Sequence, residues 1–415
     1  MAQIFPFKAK RPRLGKALQV ASLPYDQYAS NEVTEILKYN PDSFLHVVQP
    51  SLLKGIKSTG SEITLLEQSR ANFNKMVESG TLVSDDKNCF YVYRQEKSDF
   101  VHTGIIAAIQ STEYKNGSIK IHEQTLATKE EKLKDYLSVV GINAEPVLFT
   151  YPANHQMDEL INKITAENPE EHFEKDGKKH SLWVVWNDDQ IKQIHQIFKE
   201  IGHVYVADGH HRSASSALLS EALSSSFPEN HPNQRFMGVF FPHHNVQLFE
   251  FNRLVKDLNG HSLPTFLNLL NEDFEVENNG NEVYKPKMQH EFGMYLEKNW
   301  YKLKLKSNSI NPDLGEKLDA NILNQKILQP VFGIKDLRRE KRMGYLTGKE
   351  PISKLEQLVN QGKFKVAFTL FPVSVEQFFQ FSDEGKMMPP KTTWFEPKLL
   401  NAFVVYDLEL AEKKP

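Results

Sequence analysis

The sequence predicts an α/β or α+β protein, and three observations support this. Short apolar runs rich in Val, Ile and Phe are interspersed with amphipathic helical stretches along nearly the whole chain. Hydrophobic residues make up 40% of the 415, a globular share rather than a disordered one. No apolar run reaches the roughly 20 residues of a bilayer-spanning helix, and no apolar core follows the basic N-terminus. A soluble, cytoplasmic protein with no membrane partner is therefore expected.

Taken in order, the first twenty residues hold five basic side chains, no acid and two prolines, which predicts an extended, partly packed arm. The alternative for this arm is a supply of cations to an anionic ligand. Leu23-Pro24-Tyr25-Asp26 reads as a turn. A short helix follows Ser30 and stops before Pro41. Glu62–Glu78 reads as a helix with Ile63, Leu66, Phe73 and Val77 on one face and Gly80 as its C-cap. Strands are expected at Cys89–Arg94, Phe100–Ile109, Ser118–His122, Val147–Tyr151, Ser181–Trp186 and Val204–Ala207. Helices are expected at Thr128–Val139, around Gln190–Phe198 and from His210. Arg235–Phe241 and Val246–Phe251 read as paired strands around Pro242-His243-His244-Asn245. Beyond residue 255 come a helix, an acidic loop over Asn271–Tyr284 and further strands. A helix at Leu318–Leu328, a strand at Val366–Phe371, a helix at Val375–Phe381 and a Pro-rich loop at Gly385–Leu400 complete the reading. The compositional shift divides the chain into 1–255 and 256–415.

The net charge is −3, from 50 basic and 53 acidic residues, so no global field favours a nucleic acid. Cys89 is the only cysteine, which excludes an internal disulfide and a cysteine-based zinc cage. Its setting in Asn-Cys-Phe-Tyr-Val-Tyr reads as a small core residue on a strand.

The chemistry concentrates in Val204-Tyr-Val-Ala-Asp208-Gly209-His210-His211-Arg212-Ser213. An apolar strand ends in Asp-Gly and a helix starts at once, with Ala214, Ala217, Leu218 and Ala222 at helical spacing. The first N–H groups of a helix are unpaired and its dipole is positive there, so the turn suits an anion. Gly209 lets the backbone approach a ligand closely. Arg212 can fork two hydrogen bonds onto a phosphate. Asp208 can hold a metal ion or orient a hydroxyl. Cationic side chains in a first turn oppose the dipole, and a bound anion would compensate. Zinc is disfavoured, because His210 and His211 do not share a helix face.

Two further stretches carry polar chemistry. In Ser118–Thr125 a continuing strand would send His122 and Glu123 to opposite faces, so one of them serves a given ligand unless the strand ends first. Met388–Lys398 places Lys391, Thr393 and Lys398 with two aromatics in a Pro-stiffened loop fit to lie over a phosphate.

The Ala-Asp-Gly-His-His-Arg stretch, with Leu23–Asp26, Asn40–Val47, His122–Thr125, Asn252–Gly260 and Met388–Leu399, resembles the bacterial domain-of-unknown-function 1015 family from about Ile4 to Phe403. Asp208–Arg212 is also similar to the phosphate-binding box of the ParB/sulfiredoxin-like superfamily, free serine kinases included. The resemblance implies a mixed-sheet core of that type with large N- and C-terminal elaborations, and a terminal loop, 385–400, that returns to the site. Sulfiredoxin has a reactive cysteine in the box, whereas Cys89 is remote here.

The resemblance implies a phosphoryl-transfer enzyme acting on a small hydroxylated metabolite, free serine or phosphoserine first, with Mg²⁺ and ATP or ADP as cofactors. Gly209, His211, Arg212, Ser213, Lys391, Thr393 and Lys398 would hold phosphates. Asp208 would orient Mg²⁺ or the hydroxyl, Glu123 or His122 would be the general base, and His210 would stand among the catalytic groups. Tyr25, Asp26, His46 and Arg253, which lie in the shared motifs, join the candidate site residues. The alternatives are a phosphoserine phosphatase and a non-catalytic nucleotide-binding regulator.

Overall fold

The computed structural model describes residues 2–48, 62–97, 99–309 and 317–410. It contains two compact units: Met1–Val246 together with Pro397–Pro415, and Gln247–Glu396. This division differs from a cut at 255/256, and strand pairing explains why. The strand Gln247–Val255 takes its partners from Met343–Thr347, Val366–Thr369 and Thr393–Glu396, all in the second unit. The C-terminal segment rejoins the first unit, where Tyr406 pairs with Ala9 and with Asn143.

Helices and strands mix throughout, as an α/β or α+β chain should. In the first unit nine strands form a sheet in the order Ile119–Lys120, Val204–Asp208, Val147–Tyr151, Arg235–Pro242, Phe100–Gln110, Phe90–Lys97, Lys178–Val185 and Glu171–Lys175, with Ile4–Phe5 on Phe100–Gln110. Val204–Asp208 runs parallel to Ile119–Lys120 and antiparallel to Val147–Tyr151. This arrangement positions the candidate site. The parallel pair brings two C-terminal strand ends together, and the antiparallel neighbour adds its N-terminal end at the same place. Ligands bind outside such strand ends in open α/β sheets.

The central strands of the sheet are apolar on both faces. All five residues of Val147–Tyr151 are buried, and Phe149 stacks on Phe240 with ring centres 4.8 Å apart. Gly238 is required beneath them, since a Cβ there would come within 2.5 Å of the Phe149 ring. Helices cover the sheet with their apolar stripes. Asp188–Ile201 buries Ile194, Ile197 and Phe198, and Asn187 caps it by accepting from the Asp189 and Gln190 amides. A smaller sheet orders Leu82–Ser84, Ala9–Pro12, Val405–Asp407 and Ile142–Asn143. The second unit has its own seven-stranded sheet around Gln247–Val255 and its own core, with Phe266, Phe292, Met294 and Phe368.

Several sequence expectations change. Arg235–Pro242 and Gln247–Val255 are not a hairpin: each joins a different sheet, and His243–Asn245 forms a short turn between them. The acidic stretch after Asn271 contains a strand, Phe274–Gly280, whose exposed edge accepts charged residues. The Pro-rich loop contains the strand Thr393–Glu396. The N-terminal arm folds as two strands and a short helix, Ala17–Val20. Its Arg11 is bound by Asp85 and Glu170 at 2.6 and 2.8 Å, so that cation serves the fold. Ile63 is 61% exposed, although Phe73 on the same helix is buried. The helix after Leu318 changes pitch at Asn324, where the Gln329 amide reaches back five residues. Cys89 is buried, and burial pushes its thiol up to about 11. No helix among the described residues is long and apolar enough to cross a membrane.

Candidate functional site

The strand Val204–Asp208 ends in a register shift at Ala207, which re-aims Asp208 before the chain turns. Gly209 then adopts φ 101°, a left-handed conformation that side chains rarely take, and the helix His210–Leu223 begins. As N-cap, Gly209 brings no side chain of its own to the first N–H groups of this helix, the groups that an anion would meet. A Cβ at Gly209 would lie 3.0 Å from the Arg212 guanidinium, which curls back over the turn. The glycine therefore supplies both the turn and the space for the arginine.

Two cations and two carboxylates meet here. Lys398 Nζ donates to Asp208 Oδ2 at 2.8 Å. Arg212 lies 3.0 Å from Glu145 Oε1 and 3.9 Å from Asp208 Oδ1, and it donates to the Pro146 carbonyl. The surrounding protein pushes the Asp208 carboxyl up, but Lys398 and then Arg212 outweigh it and hold it at about 2. Asp208 is thus an anion at any physiological pH. Lys398 is fixed from behind, because buried Gln95 donates to its backbone carbonyl at 3.0 Å.

The imidazoles behave differently from the guanidinium. His210 is 5% exposed, and burial lowers its pKa to about 4. His122 lies edge-on to it with ring centres 4.5 Å apart, and burial followed by His210 pushes it down as well. Both rings are neutral at pH 7. In the first turn Arg212 is therefore the cation beside the neutral His210, and carboxylates already answer it. His211 accepts from the Leu126 amide through Nε2 at 3.1 Å, just before the helix Ala127–Val140. Ser213 is fully buried, its hydroxyl directed to the Gly209 carbonyl.

Because the strand Ile119–Lys120 ends two residues earlier, His122 and Glu123 are not confined to opposite faces. Both reach His210, with Glu123 Oε2 at 4.0 Å from its Nδ1. Asp208, Gly209, His210, Arg212, Glu123, His122 and Lys398 thus come together. Tyr25 packs with Val33, Leu37 and Leu45, and His46 bonds the Asn40 carbonyl at 3.0 Å, so their contacts are elsewhere. The Asp26 side chain lies outside what the structure describes. Lys391, Thr393 and Arg253 belong to the second unit.

Sequence reading missed Glu145, Pro146 and Gln95. Glu145-Pro146 directly precedes an apolar strand, which was a usable signal only once that strand was known to lie antiparallel to Val204–Asp208. For Mg²⁺, Asp208 fits as a single carboxylate ligand beside phosphate oxygens and water. Among the described residues no group of three or more His, Cys, Asp or Glu stands at metal-binding spacing.

The architecture and the turn together define a mixed α/β protein with a charge-paired strand–Gly–helix site. The sequence profile of a family described as "Protein of unknown function (DUF1015)" matches residues 4–321, and the chain belongs to that family. No curated protein matches it in sequence. Among solved structures it is similar to a mutant free serine kinase in complex with AMP (TM-score 0.38, 13% identity, 73% of this chain and 92% of that one). It is also similar to a conserved hypothetical protein from Pyrococcus furiosus (0.36, 13%, 76% and 99%) and to SbnI with a C-terminal truncation from Staphylococcus aureus (0.37, 12%, 75% and 90%). Likenesses of this size carry no conclusion about chemistry.

Proposed function

We propose that the protein transfers a phosphoryl group between a nucleotide and a small hydroxylated metabolite, with free serine and phosphoserine as the leading pair. The observation that supports this most is the pairing of Lys398 and Arg212 on Asp208 beside a helix start whose N-cap is glycine. Phosphoryl transfer asks chiefly for positioning and positive charge, and these groups supply both. The choice of serine rests on the resemblance of Asp208–Arg212 to the box of the free serine kinases.

In this reading the N–H groups of the first helical turn, Arg212 and Lys398 hold the phosphates. Incoming phosphate oxygens replace Asp208 and Glu145 as partners of the two cations, which frees Asp208 to orient the substrate hydroxyl. Glu123 takes the hydroxyl proton while the substrate oxygen bonds to phosphorus and the bond to the leaving phosphate oxygen breaks. Neutral His210 and His122 wall the site without adding charge. Mg²⁺ would be held by Asp208 together with the phosphates, where it would neutralise their charge.

Purified protein is incubated with ATP or ADP plus serine, and separately with phosphoserine alone, and products are read by phosphorus NMR. Phosphoserine formation is expected, and Glu123→Gln is expected to abolish it while sparing nucleotide binding. Inorganic phosphate released from phosphoserine alone would favour a phosphatase instead. No turnover with any of these would remove the serine assignment.

A further inference from the structure

We propose that Arg253 anchors a second oxyanion site, built from residues of the second unit. Arg253 stands on the strand Gln247–Val255 and is 1% exposed. Its Nη1 donates to the Phe251 carbonyl at 2.7 Å, whereas its Nη2 is buried with no hydrogen-bond partner among the described residues. The guanidinium lies 5.0 Å from the centre of the Tyr345 ring. Burial lowers its pKa to about 10, so it stays a cation at neutral pH. A buried cation that lacks an anion and leaves a donor unmatched is unfavourable, and a bound oxyanion removes both defects.

The nearby carboxylates are committed elsewhere. Glu396 accepts from Lys349 at 2.7 Å and from the Trp394 indole at 3.0 Å. Glu250 leaves the strand on the face opposite Arg253 and lies against Gly348. A second cation is on the correct side. Phe251 and Arg253 are two residues apart and share a face of the strand, and the Lys391 ammonium sits 5.2 Å from the Phe251 ring centre. Lys391 is held at φ 59°, a conformation that persists only where the surroundings fix it. Phe251 also meets Trp394 and Tyr345 edge to face, at 5.7 and 6.5 Å. A guanidinium in the interior, an ammonium at the surface and the Tyr345 and Phe251 rings linking them, with Trp394 beside Phe251, suit a carboxylate or phosphate borne on a planar, apolar body. The guanidinium would fork the oxygens and the rings would take the body.

The test is calorimetric titration of the full chain with benzoate, acetate and inorganic phosphate. Saturable benzoate binding is expected, and competition by acetate or by phosphate identifies the preferred headgroup. Arg253→Met should weaken benzoate binding by about ten- to a hundredfold, the loss of a charge-assisted pair, and should raise the melting temperature of the free protein by removing the unmatched charge. Lys391→Ala, at an exposed position, should weaken binding by a smaller factor. Asp208→Asn, in the first unit, should leave benzoate binding unchanged, so a failed kinase assay and a failed titration are separate results. Absence of saturable binding by all three probes would overturn the proposal. So would binding that survives Arg253→Met, or binding lost in Asp208→Asn but kept in Arg253→Met.

Discussion

At the Asp208 turn two cations face two carboxylates, while at Arg253 a buried guanidinium faces none among the described residues. The nitrogen groups reach burial by different routes. His210 and His122 remain neutral. Arg253 does not, because its guanidinium, although lowered by burial to about 10, keeps its proton at neutral and acid pH. A turn whose charges are matched can rest without ligand and exchange its carboxylates for phosphate. A buried cation unmatched among the described residues is where a bound anion gains most. Net charge alone does not distinguish these cases, since the whole protein stands at −3.

Acid should break the first arrangement and spare the second, and this is the largest effect expected. The His210 pKa is about 4 when folded, against an ordinary 6.5. Between those values the unfolded chain binds a proton that the folded one does not, so stability is complete above about pH 6.5 and falls toward pH 4. The loss is about 3 kcal/mol from His210, and His122 acts in the same direction. Arg253 adds nothing in this window. Urea unfolding at pH 7.0 and 4.5 measures the drop, and His210→Gln should flatten it. An unchanged pH dependence in that variant would mean that His210 is not held neutral by burial.

Removal of Arg212 tests the matched side directly. Arg212→Ala should weaken phosphate or nucleotide binding by about ten- to a hundredfold, the range of a lost charge-assisted contact. Benzoate binding at Arg253 should not change. Equilibrium dialysis with labelled ATP and with benzoate reads both on one variant, and unaltered ATP affinity would place the phosphates elsewhere.

Much of the local structure was legible in the sequence. Glu62–Glu78 and Val147–Tyr151 fall where apolar period and turn residues place them. The Asp-Gly turn announced its strand and helix because glycine at a strand–helix junction has few other uses. What escaped was long-range pairing. The strands at Arg235 and Gln247 looked like a hairpin, because a polar turn between apolar runs carries no information about which sheet each run joins. Glu145 was invisible for the same reason, as its meeting with Arg212 depends on strand order. The imidazole charges were not legible, because burial, which decides them, is a property of the fold.

The smallest effect isolates geometry from charge. Gly209→Ala changes no charge in the turn. It forces a side chain into φ 101° and sets a Cβ 3.0 Å from the Arg212 guanidinium. The backbone strain should cost about 1–2 kcal/mol, which thermal unfolding measures. The guanidinium is the end of a flexible side chain and can yield, so Arg212 should swing away while keeping Glu145 as partner. Phosphate binding should then fall by less than in Arg212→Ala, although both cations and both carboxylates remain. If instead it stays at wild-type strength while stability drops, the close approach of Gly209 to Arg212 serves folding alone, and charge matching suffices to hold the anion.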